Sequence, residues 1–235
     1  MSGLVFIISA PSGSGKSTLV NGLRSSVPRL DFSVSYTTRP PRGSEQPGRE
    51  YYYVDRNDFE RMVERNDFLE YADVFGNYYG TARRFLDEAV SRGHDLLLDI
   101  DVQGASQLQA TLPDAISIFI LPPNKEELER RLRRRSETDH VANEIIERRL
   151  RTAAKEIENY CKYNYILVNE HIEESIDALK AIVLSERWKQ SGAPPAERDK
   201  PFLEVAEKCL LPNVRERVQP ILASFAQPQS QALRE

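Results

Sequence analysis

Short apolar runs alternate with amphipathic, charged stretches along most of the chain. The runs at residues 4–9, 94–101, 115–121 and 163–169 are rich in Val, Ile, Leu and aromatic residues and have no helical period. Their length and composition predict strands buried on both faces. Between them, apolar positions recur at helical spacing. Leu19, Val20 and Leu23 mark a helix over about 18–26, and Phe59, Met62 and Val63 one over 55–66. Further helices are predicted over 82–92, 103–112, from Asn124 onward, over 144–160, over 172–188 and over 202–211. Strand and helix in alternation predict an α/β fold, a mostly parallel sheet covered by helices on both faces. The stretch 33–81 breaks the rhythm. Alternation at Phe32, Val34 and Tyr36 predicts one half-buried strand with Ser33, Ser35 and Thr37 on its other face. In a following strand, Tyr51 and Tyr53 share a face and Tyr52 takes the other. Residues 191–196 read as a linker. From Pro212 the chain turns polar and partly helical, and 227–231 is expected to be disordered.

The first strand runs into Ala10-Pro11-Ser12-Gly13-Ser14-Gly15-Lys16-Ser17-Thr18, which opens the first helix. Strand, glycine-rich turn and Lys-Ser at a helix N-terminus form a P-loop. Its backbone N–H groups turn toward phosphate oxygens, and the helix dipole adds positive potential there. Lys16 suits the β- and γ-phosphates, and the Ser17 hydroxyl suits Mg²⁺. The pattern starts with Gly, where this chain has Ala10; Ala is small enough unless the position needs positive φ.

Other stretches carry chemistry of their own. Arg39-Pro40-Pro41-Arg42 holds two guanidinium forks on a stiff segment, suited to a phosphate or carboxylate. Glu70 lies in an apolar, strand-like stretch and needs a partner, either a nearby Arg or a ligand with adjacent N–H donors. The run at 94–101 ends in Asp99 and Asp101, as a strand does that sets a carboxylate beside a P-loop for Mg²⁺. Period 2 puts both carboxylates on one face. Arg130, Arg131, Arg133, Arg134, Arg135, Arg148, Arg149 and Arg151 flank a polar segment at 136–143, in the manner of a lid over phosphates.

Length and charge narrow the reading. The chain has 235 residues, and 32 Lys and Arg against 36 Asp and Glu leave it at −4, so no global basic field recruits nucleic acid. Cys161 and Cys209 match no metal spacing and point to a reducing compartment. No charged-then-apolar leader opens the sequence and no apolar run suits a bilayer, so the expectation is a cytoplasmic protein with no membrane partner.

Taken in order, these motifs resemble the guanylate kinase family over residues 4–188. They include the P-loop, Ser33-Val34-Ser35-Tyr36-Thr37-Thr38-Arg39-Pro40-Pro41-Arg42, Gly48-Arg49-Glu50-Tyr51 and Phe68-Leu69-Glu70. Gly76-Asn77-Tyr78-Tyr79-Gly80-Thr81, Asp99-Ile100-Asp101-Val102-Gln103-Gly104 and Val168-Asn169 complete the set. The resemblance implies transfer of the ATP γ-phosphoryl group to GMP, with Mg²⁺ held at Ser17 and Asp99. It implies that Arg39, Arg42 and Tyr51 hold the GMP phosphate, that Ser35, Glu70 and Thr81 read guanine, and that Tyr79 and Asp101 join the acceptor pocket. It also singles out Arg135 and Arg149 in the lid, beside Lys16 and Arg39, as catalytic, and Asn169 near the adenine. The implied organisation is a domain over 1–188, with core 1–32 and 82–188, a GMP-binding insertion over about 33–81 and a lid over about 135–150. A linker, a short helix and a disordered tail would fill 189–235, and a homo-oligomer is open. Two other readings remain: a kinase for another nucleoside monophosphate, and a guanylate-kinase-like interaction domain without catalysis.

Overall fold

The computed structural model describes residues 3–139, 143–192 and 195–226, without the side chains of 135–139. Contacts divide the chain into two units, Met1–Ser9 with Val20–Ile118 and Ala10–Leu19 with Phe119–Glu235. The first helix, α1 (Lys16–Ser26), and strand β8 (Ile116–Leu121) each begin in one unit and end in the other.

The first unit holds three parallel strands. β7 (Asp95–Asp99) lies between β2 (Leu30–Ser33) and β1 (Val5–Ser9), with Leu97 level with both Phe32 and Phe6. Leu96, Leu97 and Leu98 are buried, as expected of a strand covered on both faces. Helices α3 (Arg84–Arg92) and α4 (Val102–Thr111) belong to the same unit.

A second, mixed sheet runs β4-β3-β6-β5, from Tyr52–Tyr53 (β4) through Tyr36–Thr37 (β3) and Asn77–Ala82 (β6) to Phe68–Val74 (β5). Helix α2 (Arg56–Glu64) starts at Asp55, whose side chain accepts from the Asp58 N–H at 2.7 Å. Its Phe59 stacks on Phe68 with ring centroids 4.5 Å apart. One expectation fails here. Phe32 and Tyr36 do not share a strand, because β2 stops at Ser33 and β3 starts at Tyr36 in the other sheet. Val34 and Ser35 are both buried, which a strand with one wet face does not allow. The tyrosine reading holds: Tyr51 and Tyr53 meet edge to face, and Tyr52 stacks on Tyr36.

The second unit holds the glycine-rich loop, β9 (Tyr165–Val168) beside the end of β8, and helices α5 (Lys125–Asp139), α6 (Asn143–Ile157) and α7 (Ile172–Ser191). Asn124 caps α5, accepting from the Glu127 N–H at 2.8 Å. Beyond α7 the chain carries the expected short helix, and the stretch expected to be partly helical is helical through to Phe225. The two helices are α8 (Lys200–Lys208) and then α9 (Leu211–Phe225), whose Val214, Val218, Ile221 and Phe225 are buried. Proline at the start of α9 is compatible with a helix because the first-turn N–H groups have no helical acceptor. The tail at 227–231 lies outside the described residues. Among the described residues no helix is long and apolar enough to cross a membrane.

Candidate active site

In the second unit the loop between β1 and α1 is wound tightly. The Ser14 N–H donates to the Pro11 carbonyl at 3.1 Å, and Gly13 and Gly15 take φ of 95° and 88°. A side chain at Gly15 would stand 2.5 Å from Asn169 Nδ2. That nitrogen donates to the Ser14 carbonyl at 2.7 Å, tying the loop to the end of β9. Ala10 is buried, and the described non-glycine residues with positive φ are Arg29, Asn66 and Phe75. Ala10 therefore meets no need for glycine. Lys16 is half-buried, and Ser17 and Thr18 are exposed on the first turn of α1.

A cavity of 340 Å³ opens beside this loop, lined by Gly15, Thr18, Arg130, Arg131, Asn169 and Glu170 among others. Arg131 organises its floor. It donates to Glu127 Oε1 at 2.7 Å, to the Asn169 carbonyl at 3.0 Å and to the Ser14 carbonyl at 3.4 Å. Hydrogen bonds from Arg130 and Arg131, with their charge, outweigh burial and hold the Glu127 carboxyl below its ordinary value. Asn169 Oδ1 at the cavity, and Ser14 Oγ in the loop, are buried and make no hydrogen bond within the protein. Buried polar atoms without partners are costly, so a ligand or water is the natural partner here.

In the first unit, a β-bulge sets Glu70. β5 and β6 pair Phe68 with Ala82 and then Glu70 with Thr81, so Leu69 is the extra residue that a regular ladder would set opposite Thr81. The Thr81 hydroxyl donates to Glu70 Oε1 at 2.6 Å, and both residues are buried. On the other side of the carboxylate is Gly104, where an added Cβ would fall 2.2 Å from Glu70 Oε2 and 3.3 Å from Asp101 Oδ1.

A second network surrounds Arg39, which is 5% exposed. Its Nη2 donates to Glu45 Oε1 at 3.0 Å and Oε2 at 2.9 Å, and its Nη1 to the Pro40 carbonyl at 2.7 Å. Glu45 also accepts from the Arg42 N–H at 2.8 Å and the Tyr53 hydroxyl at 2.9 Å. Burial alone would lower the Arg39 pKa, but Glu45 and Tyr79 raise it on balance. Burial and then Glu45 push the Tyr53 hydroxyl up to about 12. The Arg39 guanidinium lies 5.3 Å from the Tyr51 ring centroid, and Tyr51 meets Tyr79 edge to face at 5.7 Å.

Thus Arg39, Tyr51 and Tyr79 come together, as do Glu70, Thr81 and Asp101. Ser35 is buried, its carbonyl accepting from the Tyr52 N–H, whereas the Arg42 side chain is exposed. Two expectations need correction. Asp101 does not share a strand face with Asp99, because β7 ends at Asp99. Asp101 instead caps α4, accepting from the Gly104 N–H at 2.9 Å. Thr81 spends its one hydroxyl proton on Glu70, so as built it has none to donate to a base carbonyl. Asp99 is half-buried at the end of β7. Arg149 is half-buried on α6, and Arg135 lies on α5 with its side chain outside the described part, as do residues 140–142 of the expected lid. Sequence reasoning placed Arg131 among the lid arginines without singling it out, and it missed Glu45. Glu127, Arg130, Arg131 and Arg134 recur at one-face helical spacing and would have singled out Arg131. Glu45, in a turn-rich loop, carries no such signal.

The chain is similar to known proteins over most of its length. A family model described as guanylate kinase matches residues 2–186. A guanylate kinase of Koribacter versatilis (strain Ellin345) is 60% identical over 225 residues, 96% of this chain and 97% of that relative. A guanylate kinase of Escherichia coli (strain K12) is 44% identical over 191 residues, 80% of this chain and 91% of that relative. The crystal structure of guanylate kinase from Anaplasma phagocytophilum superposes with a TM-score of 0.66 at 38% identity, covering 79% of this chain and 86% of that one.

Proposed function

The chain belongs to the guanylate kinase family, which phosphorylates GMP to GDP with ATP as the donor, and we propose how its own residues divide that work. Residues 33–81 take GMP, and the glycine-rich loop with Asn169 takes ATP, under a lid over about 135–150. Glu70 reads guanine. An ionised carboxylate only accepts, and guanine offers N1–H and its amine as adjacent donors. The observation that most supports this reading is the buried Thr81–Glu70 hydrogen bond beside Asp101. Thr81 holds the carboxylate in place, and Ser35 is left to meet the base carbonyl. Adenine lacks N1–H and would leave Glu70 short of a donor, at a cost of about 1–3 kcal/mol.

Arg39, Arg42 and Tyr51 are assigned to the GMP phosphate, Tyr79 to the acceptor pocket, and Lys16, Arg135 and Arg149 to the transferring group. An oxygen of that phosphate attacks the γ-phosphorus, the new P–O bond forms, and the bond to the β-phosphate oxygen breaks to release ADP. The protein donates no nucleophile. Its contribution is positioning and charge neutralisation. Ser17 and Asp99 offer hard oxygen ligands, which suit Mg²⁺, an ion that takes few protein ligands and shares the phosphates. When bound, Mg²⁺ would neutralise charge on the β- and γ-phosphates.

Turnover with ATP–Mg²⁺ against GMP, AMP, UMP and dTMP tests the acceptor assignment. Glu70 should contribute about 10–10² to the preference for GMP over AMP in kcat/KM, and Glu70→Gln should remove that share. A ratio unmoved by Glu70→Gln would mean that guanine is read elsewhere.

A further inference from the structure

Helices α8 and α9 lie beyond residue 186, where the family match ends. The segment from Cys209 through α9 bonds to the elements that carry the cavity lining at three points. The first is β9, where the Ile166 N–H donates to the Cys209 carbonyl at 2.8 Å and the Leu211 N–H to the Asn164 carbonyl at 3.0 Å. β9 runs directly into Asn169 and Glu170, which line the cavity. At the second, Arg217 Nη2 on α9 donates to Glu170 Oε2 at 3.1 Å. The third is the start of α5, where the Lys125 N–H donates to Ser224 Oγ at 3.0 Å while that hydroxyl donates to the Ile221 carbonyl at 2.7 Å.

We propose that this C-terminal extension is a positioning element for the donor nucleotide, setting the spacing between the two walls of the ATP cavity. One wall is the turn after β9, carrying Asn169 and Glu170. The other is α5, carrying Arg130 and Arg131. α9 is the element that bonds to both. Its hold is firm because Val214, Val218, Ile221 and Phe225 bury one face at helical spacing. The Arg217–Glu170 pair is exposed and contributes little by itself. Ser224 matters more, because it satisfies a first-turn N–H of α5 that has no helical acceptor. Loss of that bond loosens the start of the helix that carries Arg131.

The inference rests on reading the cavity as the ATP subsite. It is tested in the full chain with Ser224→Ala and Arg217→Ala combined, measuring kcat, both KM values and the melting temperature. KM for ATP should rise about fivefold, the loss expected from a cap, while KM for GMP and kcat stay put. Ser224→Thr, which keeps the hydroxyl, should keep the wild-type KM for ATP. A lower melting temperature with KM for ATP unchanged, or both KM values rising in step, would overturn the proposal and leave the extension a purely structural addition. Asn169→Ala separates the two layers of inference. If it raises KM for ATP and the double variant does not, the extension proposal alone is wrong. If it too leaves KM for ATP unchanged, the cavity is not the ATP subsite and the proposal falls with that reading.

Discussion

Two clusters of polar groups handle burial in opposite ways. Around Glu70 and Arg39 the polar groups are closed on one another: Thr81 on Glu70, and Arg39, Tyr53 and the Arg42 N–H all on Glu45. Around the glycine-rich loop two buried atoms, the Ser14 hydroxyl and the Asn169 amide oxygen, make no hydrogen bond within the protein. The first arrangement makes a ligand exchange with a group already present, and the carboxylate of Glu45 resembles a phosphate to a guanidinium. The second is a cradle built in advance. Selectivity belongs naturally to the first, because a poor exchange leaves a buried charge unpaired. The second leaves a hydroxyl and an acceptor-only amide oxygen open to a ligand or water.

The contrast breaks first at Lys16. Lys16→Ala removes a point charge from the donor loop and should lower kcat by about 10²–10³ without altering the melting curve or the GMP-to-AMP preference. Near-normal kcat would take Lys16 out of the chemistry. A smaller, opposite effect is expected at Gly104. Gly104→Ala puts a methyl 2.2 Å from Glu70 Oε2, so the carboxylate must shift away from its bond to Thr81. KM for GMP should rise about tenfold, and KM for ATP should hold. Equal changes in both would mean that the closed networks do not confer selectivity.

How legible each unit was depended on the range of the signal. The strand–loop–helix at 4–26 is local, and glycines, Lys16 and Ser17 stand where phosphate chemistry needs them, so the donor loop could be read directly. The parallel order followed from apolar runs too short for helices. What escaped was long-range or compensated. The register shift that brings Glu70 opposite Thr81 depends on pairing with β6, which no local pattern encodes. The break between β2 and β3 hid behind the alternation of Phe32, Val34 and Tyr36, although in the fold Ser33 and Thr37 are buried and Phe32 and Tyr36 only half-buried. Asp101 looked like a strand residue because it follows the apolar run at period 2 from Asp99, whereas its extended backbone is that of a helix cap. Val214, Val218, Ile221 and Phe225 do show a helical stripe, but Pro212 and Pro220 made the segment look broken.

The subtlest test concerns Glu45, the group that the acceptor phosphate would displace or join. Burial alone would raise its carboxyl pKa, but hydrogen bonds from the Arg42 N–H, Arg39 and Tyr53, with the charge of Arg39, hold it below the ordinary value. A carboxylate depressed in the folded state contributes stability that is fully present above its unfolded value, about 4.3 for Glu, and is lost as pH falls through the folded value. Glu45→Gln keeps the volume and one acceptor but removes the charge. The difference in unfolding free energy between wild type and Glu45→Gln should therefore be about 1 kcal/mol near neutrality, flat down to about pH 5 and shrinking below it. Denaturant melts across that range measure it directly. A difference that stays constant into strong acid would mean that Arg39 is held by shape and neutral hydrogen bonds rather than by charge, and the acceptor-side network would then be no better a stand-in for phosphate than the open oxygens on the donor side.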